Sequence, residues 1–312
     1  MPIAPSMPSA QAVEPAFDFR KRMRERQQLV TRALEEQFPP GSSSLIAAIR
    51  EALLAKGKRL RPILCIEACE WVGGNVAEVL PAACAIEMIH KMTLVHDDLP
   101  AMDNAATRDG RPALHCVYGE AMAILAGDTL LVHAFEQLAS ARDAPSERSL
   151  SIISRLCRAL GTAGVAGGQA LDLLAQRELL SPETLENVHM RKTGALFEAA
   201  IGIGAEVGGA SPAQMEALTR YGMLLGRAFQ ISDDIHDSKT ADATPGHGEP
   251  ANYVQVHGQE GALRKLLELV EQAISSIAAI HGGDIRPLAG IATFVFQRAM
   301  TMGPRCAYAE EA

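Results

Sequence analysis

The chain has 312 residues, 48% of them hydrophobic but only 4% aromatic, and a formal net charge of −8 at pH 7. Such a length can bury a large core, and apolar surface drawn mostly from Ala, Leu and Ile suits packed helices better than sandwiches or barrels of strands. An acidic balance without a long Lys/Arg run argues against a nucleic-acid partner.

Residues 1–17 lack a charged segment followed by an apolar one, and carry too little Arg for a transit peptide. They are expected to be a disordered or loosely docked arm rather than a secretory signal. No uncharged apolar run reaches about 18 residues, so no membrane span is expected. The six cysteines at 65, 69, 84, 116, 157 and 306 form no CxxC. A zinc site is therefore not expected, and the chain reads as reduced and cytoplasmic. Cys65 and Cys69, one helical turn apart, read as a buried apolar face, with partner contacts or redox sensing as the alternative.

From residue 18 the pattern is helix after helix. "FDFRKRMRERQQLVTRALEEQF" sets Phe19, Met23, Leu29, Val30 and Leu34 roughly on one stripe. "PPGSSS" breaks it, its serines can cap "SLIAAIREALLAKG", and Gly57 ends that helix. A helix from Ile63 to about Trp71 is closed by "VGGN", and residues 76–96 form a long apolar helix. "VYGEAMAILAGDTLLVHAFEQLAS" follows, then helices near 146–174, 182–204, 211–238, 259–281 and 285–302. Alternating strand pairs and Asn-Gly hairpins are missing. Neither a repeat nor a linker divides the chain, so residues 18–312 are expected to form one all-α, single-domain bundle.

Two acidic segments follow apolar helical runs. "HDDLPAMDNAATRDGRP" carries Asp97, Asp98 and Asp103; "FQISDDIHD" carries Asp233, Asp234 and Asp237. Asp233 and Asp237 are four apart and share a helix face. Pro100 disturbs the helix after Asp97, and a kink or an ending helix there could bring Asp103 back to Asp97. Carboxylates clustered at the edge of an apolar interior are costly unless paired or metal-bound. Oxygen-only donors suit Mg²⁺, which bridges carboxylates to phosphate oxygens, so the two segments could clamp a diphosphate across a cavity. Cations to accompany it stand in "GKRLRP" (Lys58, Arg59, Arg61), "RDGRP" (Arg108, Arg111) and "RKTG" (Arg191, Lys192).

"GKRLRP", "IHKMTLVHDDLPAMDN", "RPALHCVYGEAMAILAGDTLL", "GGQALDL", "RKTGALFEAA" and "FQISDDIHD" resemble, in order, the motifs of the trans-isoprenyl diphosphate synthases, closest to the farnesyl and geranylgeranyl diphosphate synthases. The resemblance covers roughly residues 25–300. It implies a helical bundle around a central apolar cavity, a homodimer, and an allylic prenyl diphosphate held by three Mg²⁺ ions. Ionisation gives an allylic cation that the double bond of isopentenyl diphosphate attacks. By the same resemblance Asp97, Asp98, Asp103, Asp233, Asp234 and Asp237 are metal ligands. Lys58, Arg61 and His90 match contacts to isopentenyl diphosphate, and Arg108 and Lys192 contacts to the allylic diphosphate. Thr193 and Gln230 match positions near the reacting carbons. Met92 and Thr93 match the floor of the tail cavity, where Met and Thr leave room for a C20 product rather than C15.

The chain departs from the family's usual "DNDDLRRG" by reading "DNAATRDG". Ala105 and Ala106 replace acids, and Asp109 stands where the family has an Arg that grips isopentenyl diphosphate. Glu249 and Pro250 stand about where a "GK" is expected, so one allylic-diphosphate contact is expected to be missing. Three readings follow: a working prenyltransferase, with Lys58, Arg59, Arg61 and Arg111 compensating; a lyase or cyclase that ionises one prenyl diphosphate; and a non-catalytic subunit of a synthase.

Overall fold

The computed structural model describes residues 17–140, 146–175, 187–188, 190–240 and 253–300. The Glu249–Pro250 segment, Cys306 and all of the expected 1–17 arm but Phe17 lie outside them. Helices α1 (Phe19–Gln37), α2 (Ser44–Leu54), α3 (Leu60–Trp71) and α4 (Val76–Asp97) lead to a two-stranded hairpin, β1 (Thr107–Arg108) and β2 (Arg111–Pro112). Then come α5 (Leu114–Tyr118), α6 (Glu120–Ala139), α7 (Ser146–Leu160) and α8 (Val165–Ala175). A π-helical turn, Met190–Gly194, opens α9 (Ala195–Val207), followed by α10 (Pro212–Thr240), α11 (Tyr253–Ala278) and α12 (Arg286–Met300). Among the described residues no helix is long and apolar enough to cross a membrane.

The expected all-α architecture holds. α3 and α9 pack against each other at its centre. Cys65, Ile66 and Cys69 of α3 and Leu196, Ala200 and Ile203 of α9 join one apolar cluster with α2, α4, α6 and α7. Ile63, Leu64 and Trp71, with Phe197 and Ile201, join a second with α10, α11 and α12. A helix buried on both sides has no polar stripe, so α3 shows little amphipathic period. The two backbones approach closely because α9 offers glycine: a Cβ on Gly204 would lie 2.0 Å from the Cys65 carbonyl oxygen.

One expected boundary is corrected. The helix near 146–174 is two, broken at Gly161–Gly164, where the Gly164 N–H turns back to the Gly161 carbonyl. The helix expected from 259 is preceded by a helical stretch from Tyr253, from which Gly258 (φ +70°) separates it. Cys65, Cys69, Cys84, Cys116 and Cys157 are free thiols. Burial pushes the first three up in pKa, which makes them poor nucleophiles and fits the apolar-face expectation.

Candidate active site

α4 ends at Asp97, and the chain folds straight back over that end. The Asp103 N–H donates to the Asp97 carbonyl at 2.9 Å, and the Ala105 N–H to the Asp98 carbonyl at 3.2 Å. Asp103 therefore returns beside Asp97, as an ending helix allows, and stands exposed. Asp98 is buried, and its Oδ1 accepts from Nε of Arg108 at 2.9 Å. Burial pushes the Asp97 carboxyl up to about 6, against the pull of the Lys192 ammonium and with the help of Asp103.

The hairpin beyond was not expected. Asp109 (φ +52°) and Gly110 (φ +74°) are its loop, and two residues at positive φ suit the mirror-image turn that joins twisted strands. Asp-Gly favours that turn as Asn-Gly does, so turn chemistry accounts for an acid at 109.

The second acidic segment lies inside α10. Asp233 is ion-paired with Arg298 of α12; burial pushes its carboxyl up to about 6 against that pairing. Asp234 is buried and accepts from Gln230 Nε2 at 3.0 Å and from the Tyr253 N–H at 2.8 Å. Asp237 is exposed one turn on.

The π turn connects the two segments. Lys192 Nζ lies 2.8 Å from Asp172 Oδ2 and 3.7 Å from Asp97 Oδ2. Burial alone would lower its pKa, but these carboxylates outweigh burial and hold it above the usual range. The next residue faces the other segment: Thr193 Oγ1 donates to Gln230 Oε1 at 2.8 Å. Neighbours along the chain point to opposite acids because the turn is held on both sides. A Cβ on Gly168 of α8 would lie 2.5 Å from the Lys192 backbone nitrogen, and one on Gly226 of α10 would lie 2.9 Å from the Gly194 Cα.

The remaining cations divide. Arg61 donates to His90 Nε2 at 3.2 Å and stacks 4.5 Å from the centre of the Phe197 ring. Burial, then the charge of Arg61, pushes the His90 pKa well down, so this imidazole is a neutral acceptor. Lys58 lies 4.9 Å from the Phe294 ring of α12. Arg191 turns away to Asn187 Oδ1 at 2.9 Å. Arg59 corrects its expected role: it is buried, donates to Glu87 at 2.6 Å and to the Leu53 and Ala55 carbonyls at 2.7 and 3.1 Å, and so fastens α2 to α4. Its guanidinium is spent inside the protein and cannot compensate for Asp109. Thr93 shares the α4 face of His90 and Asp97 by its spacing, while Met92 lies buried in the first apolar cluster.

Sequence inspection missed Asp172 and Arg298. Asp172 sits within "GGQALDL", where nothing but its distance to Lys192 singles it out; Arg298 is one Arg on an ordinary amphipathic helix. Among the described residues no three His, Cys, Asp or Glu side chains come close enough to form a metal cage. The donors are nonetheless oxygen only, and burial pushes both Asp97 and Asp233 toward accepting a proton or another cation. That set fits a hard divalent ion with phosphate oxygens as further ligands.

A model of the polyprenyl synthetase family matches residues 43–249. The chain is 40% identical to the geranylgeranyl diphosphate synthase of Cyanophora paradoxa over 90% of its own length and 97% of that protein's. It is equally similar, at 40%, to geranylgeranyl pyrophosphate synthase 12, chloroplastic, of Arabidopsis thaliana, with 90% and 81% covered. Among solved structures, an FPP/GFPP synthase from Zymomonas mobilis superposes with a TM-score of 0.82 at 32% identity, covering 89% of this chain and 98% of that one. With a TM-score of 0.79, a putative farnesyl-diphosphate synthase from Marinomonas sp. MED121 is 34% identical, with 90% and 100% covered. The chain belongs to the polyprenyl synthetase family.

Proposed function

We propose that this prenyltransferase condenses an allylic prenyl diphosphate with isopentenyl diphosphate in a Mg²⁺-dependent reaction, with a C20 product favoured over C15. The observation that carries it is the π turn: Lys192 addresses Asp97, and Thr193 addresses Gln230 and, through it, Asp234. One diphosphate between the acidic segments would then meet both.

In this reading Asp97, Asp98 and Asp103 on one side, and Asp233, Asp234 and Asp237 on the other, would hold three Mg²⁺ ions. When bound, the metal supplies electrostatic stabilisation of the departing diphosphate. Lys192 and Arg108 orient the allylic diphosphate, and Arg61, His90 and Lys58 the isopentenyl one. Thr193 and Gln230 present oxygen dipoles to the allylic cation and hold the donor in line. Their mutual hydrogen bond fixes both side chains before substrate arrives. Thr93 and Met92 stand where the growing tail descends along α4, and neither is bulky enough to stop it early. The lyase and subunit readings are not favoured beside relatives that carry synthase names.

The homodimer is part of the same proposal. Its support is the outer face of α6, where Ile124, Leu125 and Val132 are 43%, 51% and 67% exposed. Large apolar side chains in a row at helical spacing suit a second copy better than water.

The test is purified protein with Mg²⁺, farnesyl diphosphate and labelled isopentenyl diphosphate. Labelled C20 diphosphate is the expected result. A hydrocarbon or alcohol from farnesyl diphosphate alone, or no product, would overturn the proposal.

A further inference from the structure

α4 carries a buried charge that the site described above does not use. Lys91 follows His90 and is 6% exposed. Its ammonium makes no hydrogen bond or ion pair to any of the described residues. A Cβ added to Gly57 would lie 3.7 Å from Nζ, so the ammonium rests against the α2–α3 loop that also presents Lys58. The nearby Glu87 accepts from Arg59 at Oε1, while its Oε2 takes no hydrogen bond and its charge still acts on Lys91 one turn away. Burial holds the Lys91 ammonium below its ordinary range, only partly opposed by Glu87. Glu87 and Asp109 offset the cost of burying this cation only in part, and an anionic ligand would offset more of it.

Lys91 also lines a cavity of about 120 Å³ between α2, α4 and the hairpin, together with Lys56, Leu94, Arg108, Asp109 and Arg111. Two acids in its wall are occupied: Asp98 accepts from Arg108, and Glu51 accepts from the Tyr118 hydroxyl at 2.8 Å. The cavity is far smaller than the roughly 300 Å³ at which drug-sized pockets begin, so it admits a compact charged head and no isoprenoid chain. Lys91, Leu94 and Asp98 follow one another at helical spacing beside the α4 face of His90, Thr93 and Asp97.

We propose that Lys91 binds the diphosphate head of the five-carbon co-substrate, supplying from inside α4 the positive charge that the hairpin tip lacks at Asp109. Isopentenyl diphosphate would place its phosphates between the α2–α3 loop and the hairpin, with Arg61 and His90 on one side and Lys91 on the other. Asp109, at the exposed turn, sets a like charge at the rim and weakens that grip without abolishing it. This assignment rests on the prenyl-transfer reading above.

The experiment measures KM separately for isopentenyl and allylic diphosphate in Lys91→Met, Lys91→Arg and the double variant Lys91→Met, Asp109→Arg. It adds a calorimetric titration of each protein with inorganic pyrophosphate in Mg²⁺-free buffer. Lys91→Met is expected to raise KM for isopentenyl diphosphate about 10-fold or more, as loss of a charged hydrogen bond would. KM for the allylic substrate should stay unchanged, Lys91→Arg should remain close to wild type, and Asp109→Arg should recover most of the loss. An unchanged KM for isopentenyl diphosphate in Lys91→Met, or an equal rise for both substrates, would overturn the assignment. If the wild type fails to elongate, the prenyl-transfer reading falls, and the titration still decides on Lys91. Weaker pyrophosphate binding in Lys91→Met upholds an anion site there, and equal binding removes it.

Discussion

The two acidic segments reach the same neighbourhood by different means. Asp233, Asp234 and Asp237 sit inside a 29-residue helix, so the helical repeat alone sets their directions. Asp97, Asp98 and Asp103 sit where a helix stops, and a folded-back loop positions the third of them. The mid-helix set takes its counter-charge from a distant element, Arg298 of α12. The helix-end set takes it from close by in sequence, Arg108, and from the π turn, Lys192. Regular structure tolerates few changes at such a site, whereas a loop can be rewritten. Between the first and last acids of the two segments and just beyond them, the departures Ala105, Ala106 and Asp109 fall on the loop side, while Glu249 and Pro250 lie farther along the chain from the mid-helix set.

Breaking the electrostatics is expected to have the largest effect. Asp97→Asn keeps the shape but removes the charge that Lys192 faces, and kcat should fall by about 10²–10³, the usual scale for one preorganised electrostatic contact. A steady-state assay of kcat with both substrates saturating checks it, and Asp237→Asn, at the exposed end of the other set, should cost less. Next comes Arg59→Met, which strands Glu87 in the interior. It should lower stability by about 3–5 kcal/mol in denaturant unfolding while leaving KM for both substrates unchanged in the folded enzyme. An altered KM with normal stability would return Arg59 to the site.

Gly168→Val sharpens the comparison, because it removes no charge. The added Cβ meets the Lys192 backbone and must displace the π turn, so Lys192 and Thr193 should both be misplaced. About 1–3 kcal/mol of stability should be lost, and kcat should fall though every acid remains. The smallest effect expected is the pH dependence of His90. Its pKa is depressed in the fold and ordinary when unfolded. Below about 6.5 the unfolded chain therefore takes up a proton at this position that the folded one does not, so the His90 contribution lowers stability as pH falls, against Asp97 and Asp233, whose carboxyls are raised to about 6 in the fold and contribute in the opposite sense. In melts recorded from pH 7 to 5, His90→Gln should gain stability relative to wild type as the pH falls, because the variant lacks the opposing histidine.

The helical class was legible because amphipathic repeats and an almost complete lack of strand alternation leave few alternatives. The acids of α10 were legible for the same reason: spacing on a helix is geometry. The Asp109–Gly110 hairpin was not legible because its strands are two residues each and show no alternation, although Asp-Gly meets the same demand for positive φ as Asn-Gly. Arg59 and Arg61 are two residues apart in one motif, yet one is walled in by Glu87 and two carbonyls and the other opens onto His90. Helix-end dihedrals decide that, since Arg59 stands at φ +50° before α3 begins. Asp172 and Arg298 acquire meaning only when α8 and α12 are packed, which no local pattern announces.

The central claim is that the π turn joins both acidic sets to a single substrate head. A crystal structure of the protein with Mg²⁺ and a non-hydrolysable allylic diphosphate analogue tests it most directly. Metal ions bound by Asp97 and by Asp233 should share oxygens of one diphosphate, with Lys192 on that same group. A diphosphate held by one aspartate set alone, with Lys192 still turned to Asp172, would contradict it.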